Sequence, residues 1–187
     1  MPDTDPDELL MSLVAQGDHT ACRTLVERHL ARIVAFAART TGDRTAAEDI
    51  AQEVFSRLWI HAARWRPGPA RLTTWLHRIA LNLCLDHSAR RRSESLGDVP
   101  EPFDSTHDAA RVAQERDLQR HVTGALNTLP AAQRAAITLC HYQGFSNAEA
   151  ADILGVSVEA LESLLARGRR AMRERLRDVA PALLGKD

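Results

Sequence analysis

Gly144-Phe145-Ser146-Asn147-Ala148-Glu149 carries the start signals of a short helix. Ser146 and Glu149 have the S-x-x-E spacing of a capping box, in which each side chain satisfies a free backbone N–H of the first turn. Gly155 stops that helix, because glycine takes the left-handed backbone without a steric penalty. Ser157 then caps a second, longer helix. Residues 164–177 behind it carry six arginines (Arg167, Arg169, Arg170, Arg173, Arg175, Arg177) against one acid, Glu174. Two helices joined at a glycine, the second polar at its start and arginine-rich behind, predict a helix-turn-helix. In a major groove the early residues read base edges and the later ones neutralise phosphate. The competing reading is an amphipathic helix with a solvated basic face. The coincidence of capped helix, glycine turn and arginines favours DNA.

The rest of the chain bounds this reading. Its 187 residues allow one ordinary domain or two small ones, and 44% hydrophobic content is that of a globular protein. Aromatics make up only 4%, which disfavours a strand-rich fold, whereas alanine, leucine and arginine are strong helix formers. No apolar run approaches the roughly 20 residues of a membrane span. The acidic start (Asp3, Asp5, Asp7, Glu8) is unlike a secretory signal. Cys22, Cys84 and Cys140 are widely spaced and odd in number, which argues against a disulfide framework and fits a reducing cytoplasm. The formal charge of −1 is unexpected for a nucleic-acid binder. Residues 1–92 hold 13 basic and 11 acidic side chains, 93–111 one and five, and 112–187 ten and nine. Positive charge is therefore concentrated in patches, at Arg90-Arg91-Arg92 and on the last helix. Such a chain is expected to bind DNA weakly alone and to need a larger partner.

Helix signals recur throughout. Asp5-Pro6-Asp7-Glu8 opens a first helix, with Asp5 as cap and Glu8 as capping-box partner, and Gly17 ends it. A second runs from about Asp18 to Thr40 with Leu25, Val26, Leu30, Ile33, Val34 and Ala37 on one face, closed by Gly42. Thr45 and Glu48 box a third, reaching about Ala63. Trp65-Arg66-Pro67-Gly68-Pro69 is a loop, and a fourth helix runs from near Thr73 into Arg92. Residues 93–111 are acidic, proline-containing and aperiodic, as expected of a flexible linker. Beyond it come a helix through Leu126, a break at Leu129-Pro130, and a helix from Ala131 to about His141. The expected fold is all-α: domain 1–92, linker 93–111, and domain 112–187 containing the helix-turn-helix.

Two surfaces of the first half carry chemistry. On the third helix, Ala47, Ile50, Ala51, Val54 and Leu58 share one side, and Asp49, Gln52, Glu53 and Ser56 the other, with Trp59 and Ile60 one turn on. An acidic stripe beside an exposed ring suits a protein-docking hot spot. A solvated face with Trp59 tucked into the core satisfies the same spacing. The fourth helix is apolar nearly all round over Ile79-Ala80-Leu81-Asn82-Leu83-Cys84-Leu85, so it is central to its domain. Trp75, Arg78 and Asn82 share a stripe that leads to Arg90, Arg91 and Arg92. Together they can stack on an unpaired base, hold a phosphate and bond a base edge. An Asn82 buried against a neighbouring helix fits the spacing equally well.

Three stretches together resemble the extracytoplasmic-function class of bacterial sigma factors, the smallest members of the sigma-70 family. They are Ala47-Glu48-Asp49-Ile50-Ala51-Gln52-Glu53-Val54-Phe55; Thr74-Trp75-Leu76-His77-Arg78-Ile79-Ala80-Leu81-Asn82 with Asp86; and Leu129-Pro130-Ala131-Ala132-Gln133-Arg134 with the helix-turn-helix and Leu165-Ala166-Arg167-Gly168-Arg169-Arg170. Their order and spacing match over roughly residues 7–180. The resemblance implies a cytoplasmic promoter-specificity subunit, monomeric when free, with no cofactor, no catalytic residues and no membrane insertion. Asp49, Gln52, Glu53, Phe55 and Trp59 would dock on the β′ clamp helices of core RNA polymerase, with the β subunit also contacted. The 65–72 loop and Trp75, Arg78, Asn82, Arg90, Arg91 and Arg92 would recognise and open the −10 promoter element. The acidic linker would run near the RNA exit path. Ser157, Glu159, Ala160, Glu162 and Ser163 would lie nearest the −35 bases, backed by Arg167, Arg169, Arg170 and Arg173. A cognate anti-sigma factor that wedges between or wraps the domains is also implied. One departure stands out: the family often has a basic residue followed by Ser-Arg in the recognition helix, where this chain has Glu162-Ser163-Leu164.

Three other readings compete. A stand-alone helix-turn-helix repressor explains the C-terminal third but not the Trp75/Arg78/Asn82 stripe. A sigma mimic that sequesters an anti-sigma factor shares the fold, and the altered recognition helix favours it, whereas the retained Arg90–Arg92 run does not. An enzyme or metal sensor would rest on Cys84/His87 or Cys140-His141. Those pairs fall short of the three or four ligands that zinc requires, and no phosphate loop or nucleophile–base pair is evident.

Overall fold

A computed structural model describes residues 5–66, 71–94 and 111–177, and among these residues it is helical with no strand. The first domain holds α1 (Pro6–Val14), α2 (His19–Thr41), α3 (Arg44–His61), a 3-10 turn at Ala62–Arg64, and α4 (Leu72–Glu94). The second holds α5 (Arg111–Asn127), α6 (Ala131–Ile137) with a π-helical turn at Thr138–Tyr142, α7 (Asn147–Leu154) and α8 (Val158–Leu176). Residues 95–110, most of the expected linker, lie outside the described residues, as do residues 67–70 of the expected loop. None of the described helices is long and apolar enough to cross a membrane.

Local chemistry sets most of the helix ends. Asp18 accepts from the backbone N–H of Thr20 and Ala21 at 2.7 and 3.0 Å, satisfying two donors the helix cannot. Gly42 closes α2 in the left-handed region at φ 75°, donating to the Ala38 carbonyl at 2.8 Å. Two expected caps differ. Asp5 caps α1 by accepting from the Asp7 N–H at 3.0 Å, and Glu8 does not complete a box. In α3 the cap is Asp43, which accepts from the Ala46 N–H at 3.0 Å, while Glu48 takes an ion pair with Arg44. Asp43 stands directly after the Gly42 turn with its own N–H bonded to the Thr41 hydroxyl, so a carboxyl acceptor is already in position before Thr45. The helix from Ala131 also differs, widening into the π turn. There the Thr138 hydroxyl donates to the Arg134 carbonyl at 2.9 Å, competing with the helical ladder, and Gln143 N–H reaches back to the Thr138 carbonyl.

Helix α2 is the common support. It packs against α1, α3 and α4 within the first domain and reaches α5, α6 and the π turn of the second. Met11, Leu25, Ile33, Phe36, Leu58 and Leu76 are fully buried around it. Across the second domain Leu139, Ile153 and Leu161 play the same part, and the two sets join in one continuous apolar cluster. Gly168 lets α8 lie against α6, since a Cβ there would stand 2.7 Å from Ile137 Cδ1. The seam between the domains centres on His77 of α4, whose ring meets Phe36 edge-on at 5.3 Å and Phe145 at 4.7 Å.

Leu161 fills the space beneath the start of α8 without touching its exposed face. Leu161→Ala is expected to destabilise the chain by about 2–5 kcal/mol, as a truncation that leaves a cavity does. Urea unfolding followed by helical ellipticity measures it.

Candidate nucleic-acid and protein interfaces

The second domain builds its outward helix from capped turns. Ser146 Oγ accepts from the Glu149 N–H, while Glu149 Oε2 accepts from the Ser146 N–H at 2.9 Å and from its hydroxyl at 2.7 Å. The Ser146 side chain and then its backbone hold the Glu149 carboxyl below the usual range. Gly155 turns the chain at φ 67°, and Ser157 caps α8 by accepting from Ala160 N–H at 3.2 Å. Leu161, Leu165 and Gly168 face inward. Ser157, Glu159, Ala160, Glu162 and Ser163 are all exposed on the other side, followed by Arg167, Arg169, Arg170 and Arg173. Glu162 accepts from the Asn147 amide at 3.4 Å, which ties α8 to the start of α7. Arg169 donates to His141 at 3.2 Å, and Arg167 to the Ser163 carbonyl. Arg170 and Arg173 stand exposed beside them, so the outer face offers acids and hydroxyls first and cations behind.

On α4 the expected stripe divides by depth. Trp75 is half-buried against the core, and Asn82 is exposed rather than buried against a neighbour. Arg78 is engaged across the seam, with an ion pair to Asp152 Oδ1 at 2.7 Å and a bond to the Asp152 carbonyl. Arg90 is exposed; Arg91 approaches Asp43 at 3.7 Å, as does His87 at 3.8 Å. The Arg92 side chain lies outside the described residues. Asp43 therefore caps α3 and anchors the end of the arginine run together, a link that no spacing in the sequence signals.

On α3, Asp49, Gln52, Glu53 and Ser56 are exposed opposite the buried Ala47, Ile50, Ala51, Val54 and Leu58. Glu53 pairs with Arg57 at 2.7 Å. Trp59 stays 36% exposed, stacked on His19 at 4.6 Å, and Ile60 beside it is 68% exposed. Phe55, grouped with the docking residues at the start, is only 8% exposed. It supports the face from within the core, and the ring on the surface is Trp59.

Sequence reasoning missed two buried polar groups. Asp7 reaches His29 Nε2 at 2.7 Å and Arg28 at 2.9 Å, tying α1 to α2. His29 stands one helical turn from both Leu25 and Ile33, and that core position was the available signal. His77 donates from Nδ1 to the Thr73 carbonyl at 2.8 Å, and burial pushes its pKa down to about 4. Cys84 is buried, its thiol pushed up to about 12 by desolvation and so poorly reactive. Cys140 donates weakly to Asn147. Among the described residues no three His, Cys, Asp or Glu side chains converge as a metal site would require.

Comparison with known proteins agrees with this layout. Residues 25–94 match the family model for sigma-70 region 2, and residues 120–172 that for sigma-70 region 4. The chain is 33% identical over 169 residues to the ECF RNA polymerase sigma factor SigE of Mycolicibacterium smegmatis, covering 87% of itself and 65% of that relative's length. It is 32% identical to SigL of Mycobacterium tuberculosis over 173 residues, covering 90% of itself and 96% of SigL. Among solved structures, CnrH in complex with the cytosolic domain of CnrY superposes with a TM-score of 0.70 at 29% identity, covering 93% of this chain and 99% of that one.

Removing the α7 cap tests how the helix-turn-helix is held. Ser146→Ala is expected to cost about 1 kcal/mol at pH 7. Because the Glu149 carboxyl is held low by Ser146, the wild-type advantage is present above about pH 4.5 and fades as pH falls below it. Denaturation of both proteins at pH 7 and at acid pH should give midpoints whose separation narrows as the pH falls, the bond from the Glu149 N–H to Ser146 Oγ keeping the remainder.

Proposed function

The chain belongs to the extracytoplasmic-function sigma factors of the sigma-70 family, and we propose that it is an alternative sigma factor that directs core RNA polymerase to specific promoters. The observation that carries this reading is the pairing of both sigma-70 regions, in order, with an exposed face on each. The chain performs no bond-making chemistry; polymerase does, and this subunit supplies recognition. It acts in the cytoplasm.

The roles follow from where the side chains sit. Asp49, Gln52, Glu53 and Trp59 dock the first domain on the β′ clamp helices: the half-exposed ring anchors and the carboxylates fix register. The first domain, 1–92, then meets the −10 element with Trp75, Arg78, Asn82, Arg90, Arg91 and Arg92. Melting there extrudes bases, which costs a few kcal/mol per base, so a half-buried tryptophan beside an amide and cations offers compensating stacking and bonding. The second domain, 112–187, lays α8 in the major groove at the −35 element. Ser157, Glu159, Ala160, Glu162 and Ser163 face base edges, with Arg167, Arg169, Arg170 and Arg173 on phosphate. Glu162 accepts from a cytosine N4, in competition with the Asn147 amide that it accepts from at 3.4 Å in the free chain. The 93–111 segment joins the two along polymerase. An anti-sigma factor holds the chain inactive, as a protein partner is bound to CnrH.

The exposed Trp59 and the carboxylates of α3 favour a sigma factor over a stand-alone repressor, which has no use for such a face. Run-off transcription with core polymerase on the promoter of the chain's own operon tests this. Initiation should depend on the protein and fall by more than about tenfold in Asp49→Ala/Glu53→Ala, the loss of a hot-spot pair. Arg170→Ala should weaken promoter binding by the holoenzyme and lower its log–log salt slope by about 0.9, one phosphate contact. Tight duplex binding without polymerase, and no initiation with it, would instead establish the repressor.

A further inference from the structure

We propose that His19, at the start of α2, is a positioning residue of the polymerase-docking face: its ring backs Trp59 and holds the indole in the pose that meets the β′ clamp helices. The proposal rests on the sigma-factor reading and deepens it, because it adds to that face a residue from a second helix.

The placement follows from how two helices pack. Helices α2 and α3 leave the Gly42–Asp43 corner in opposite directions and lie along one another, so the start of α2 comes level with the end of α3. There the His19 and Trp59 rings stand 4.6 Å apart between centroids and 16° from parallel. Stacked rings at that separation attract one another beyond the area they bury. His19 is held in turn by its own backbone. The turn before it is closed by the Asp18 N–H, which donates to the Leu13 carbonyl at 3.1 Å. The Asp18 carboxyl then accepts from the Thr20 and Ala21 N–H groups at 2.7 and 3.0 Å, which fixes the first turn of α2.

Trp59 is a side chain that needs such a support. Phe55, Leu58 and Ala62 around it turn into the core, whereas Trp59 keeps 36% of its surface exposed and Ile60 beside it 68%. An indole at this boundary reaches several staggered rotamers, and a partner that binds one of them must freeze the rest out. A ring already stacked on His19 has lost that freedom before the partner arrives. Such preorganisation raises affinity without a new contact, and rigid aromatic anchors are where interface energy concentrates. The exposed Asp49 and Glu53 stand on the preceding turns of α3, so a fixed indole also fixes the register in which ring and acids are offered together. His19 is itself exposed, so its replacement leaves no cavity in the core and its variants are expected to fold.

Two measurements on the full chain separate the stack from its use. In the first, 5-fluorotryptophan labels the three tryptophans, and Trp59→Phe identifies the Trp59 resonance. His19→Ala should move that resonance and leave the other two in place. In the second, the affinity for core polymerase is titrated. His19→Ala should raise Kd about three- to tenfold, the cost of immobilising one large side chain at an interface. His19→Phe, which restores a flat ring beneath the indole, should bring Kd back to within about twofold of wild type. In a Trp59→Ala background His19→Ala should change Kd by less than about twofold, because a residue that acts through the indole then has nothing to position. Circular dichroism checks that each variant is folded.

A Trp59 resonance that stays in place in His19→Ala would overturn the stack. An unchanged Kd in His19→Ala, or the same loss with and without the Trp59 side chain, would overturn positioning. A His19→Phe chain as weak as His19→Ala would overturn the ring as its cause. A wild type that does not bind core polymerase, while the resonance moves as expected, fails the sigma-factor reading itself and takes the docking role with it, leaving only the stack.

Discussion

Everything in this molecule depends on α2 being buried on more than one side. Leu25, Ile33, Phe36 and Ala37 have no exposed surface, because α1, α3 and α4 surround them and the second domain covers what remains. This 23-residue helix carries interior residues on several sides, and α1, α3 and α4 cover it together with α5, α6 and the π turn. The same apolar demand therefore folds the first domain and draws the second against it. That is why Phe36, a core residue of one domain, is also a wall of the seam with the other.

Charge is handled by pairing within the chain. A net charge of −1 with six arginines on and just beyond α8 leaves little long-range attraction for a polyanion, and several cations are already engaged. Arg78 holds Asp152, Arg57 holds Glu53, and Arg91 leans on Asp43. Binding to DNA must exchange these partners for phosphate. The gain per contact is then a difference between two ion pairs rather than the whole of one. In the proposed function, specificity for promoters then comes from simultaneous engagement of both domains on a larger scaffold, which converts two weak contacts into one effective one.

Much of this was legible in the sequence, for identifiable reasons. The Ser146/Glu149 box, the left-handed Gly42 and Gly155, and the buried stripe of α3 follow from rules that act within one or two helical turns. For Trp59 and Asn82 the spacing left exposure and burial open, and only the packing decides that both are exposed. The features that escaped are those in which partners are far apart along the chain. Asp7 with His29, Arg78 with Asp152 and His77 with Phe145 pair across 22, 74 and a similarly long separation. Phe55 stands beside the polar face in sequence, while the packing of α3 on its neighbours turns it inward. Asp43 displaced Thr45 as cap because the preceding turn, and not the helix itself, positions the acceptor.

The seam is built to be lost. Its salt bridge joins side chains that are 46% and 50% exposed, so solvent screening leaves it worth at most about 1 kcal/mol. The Arg32–Gln143 pair is exposed as well. What remains is the contact of Phe145 with His77 and the apolar surface around them, and an aromatic pair adds about 0.5–1.5 kcal/mol beyond its area. Contributions of this size are ones that a partner binding at the seam can outweigh, since each 1.4 kcal/mol of differential binding is a factor of ten. A seam made of leucines would have fused the two domains and fixed the distance between their DNA-facing helices. Placing a histidine and half-exposed ion pairs there keeps the domains separable, as the proposed engagement of two promoter elements at once requires.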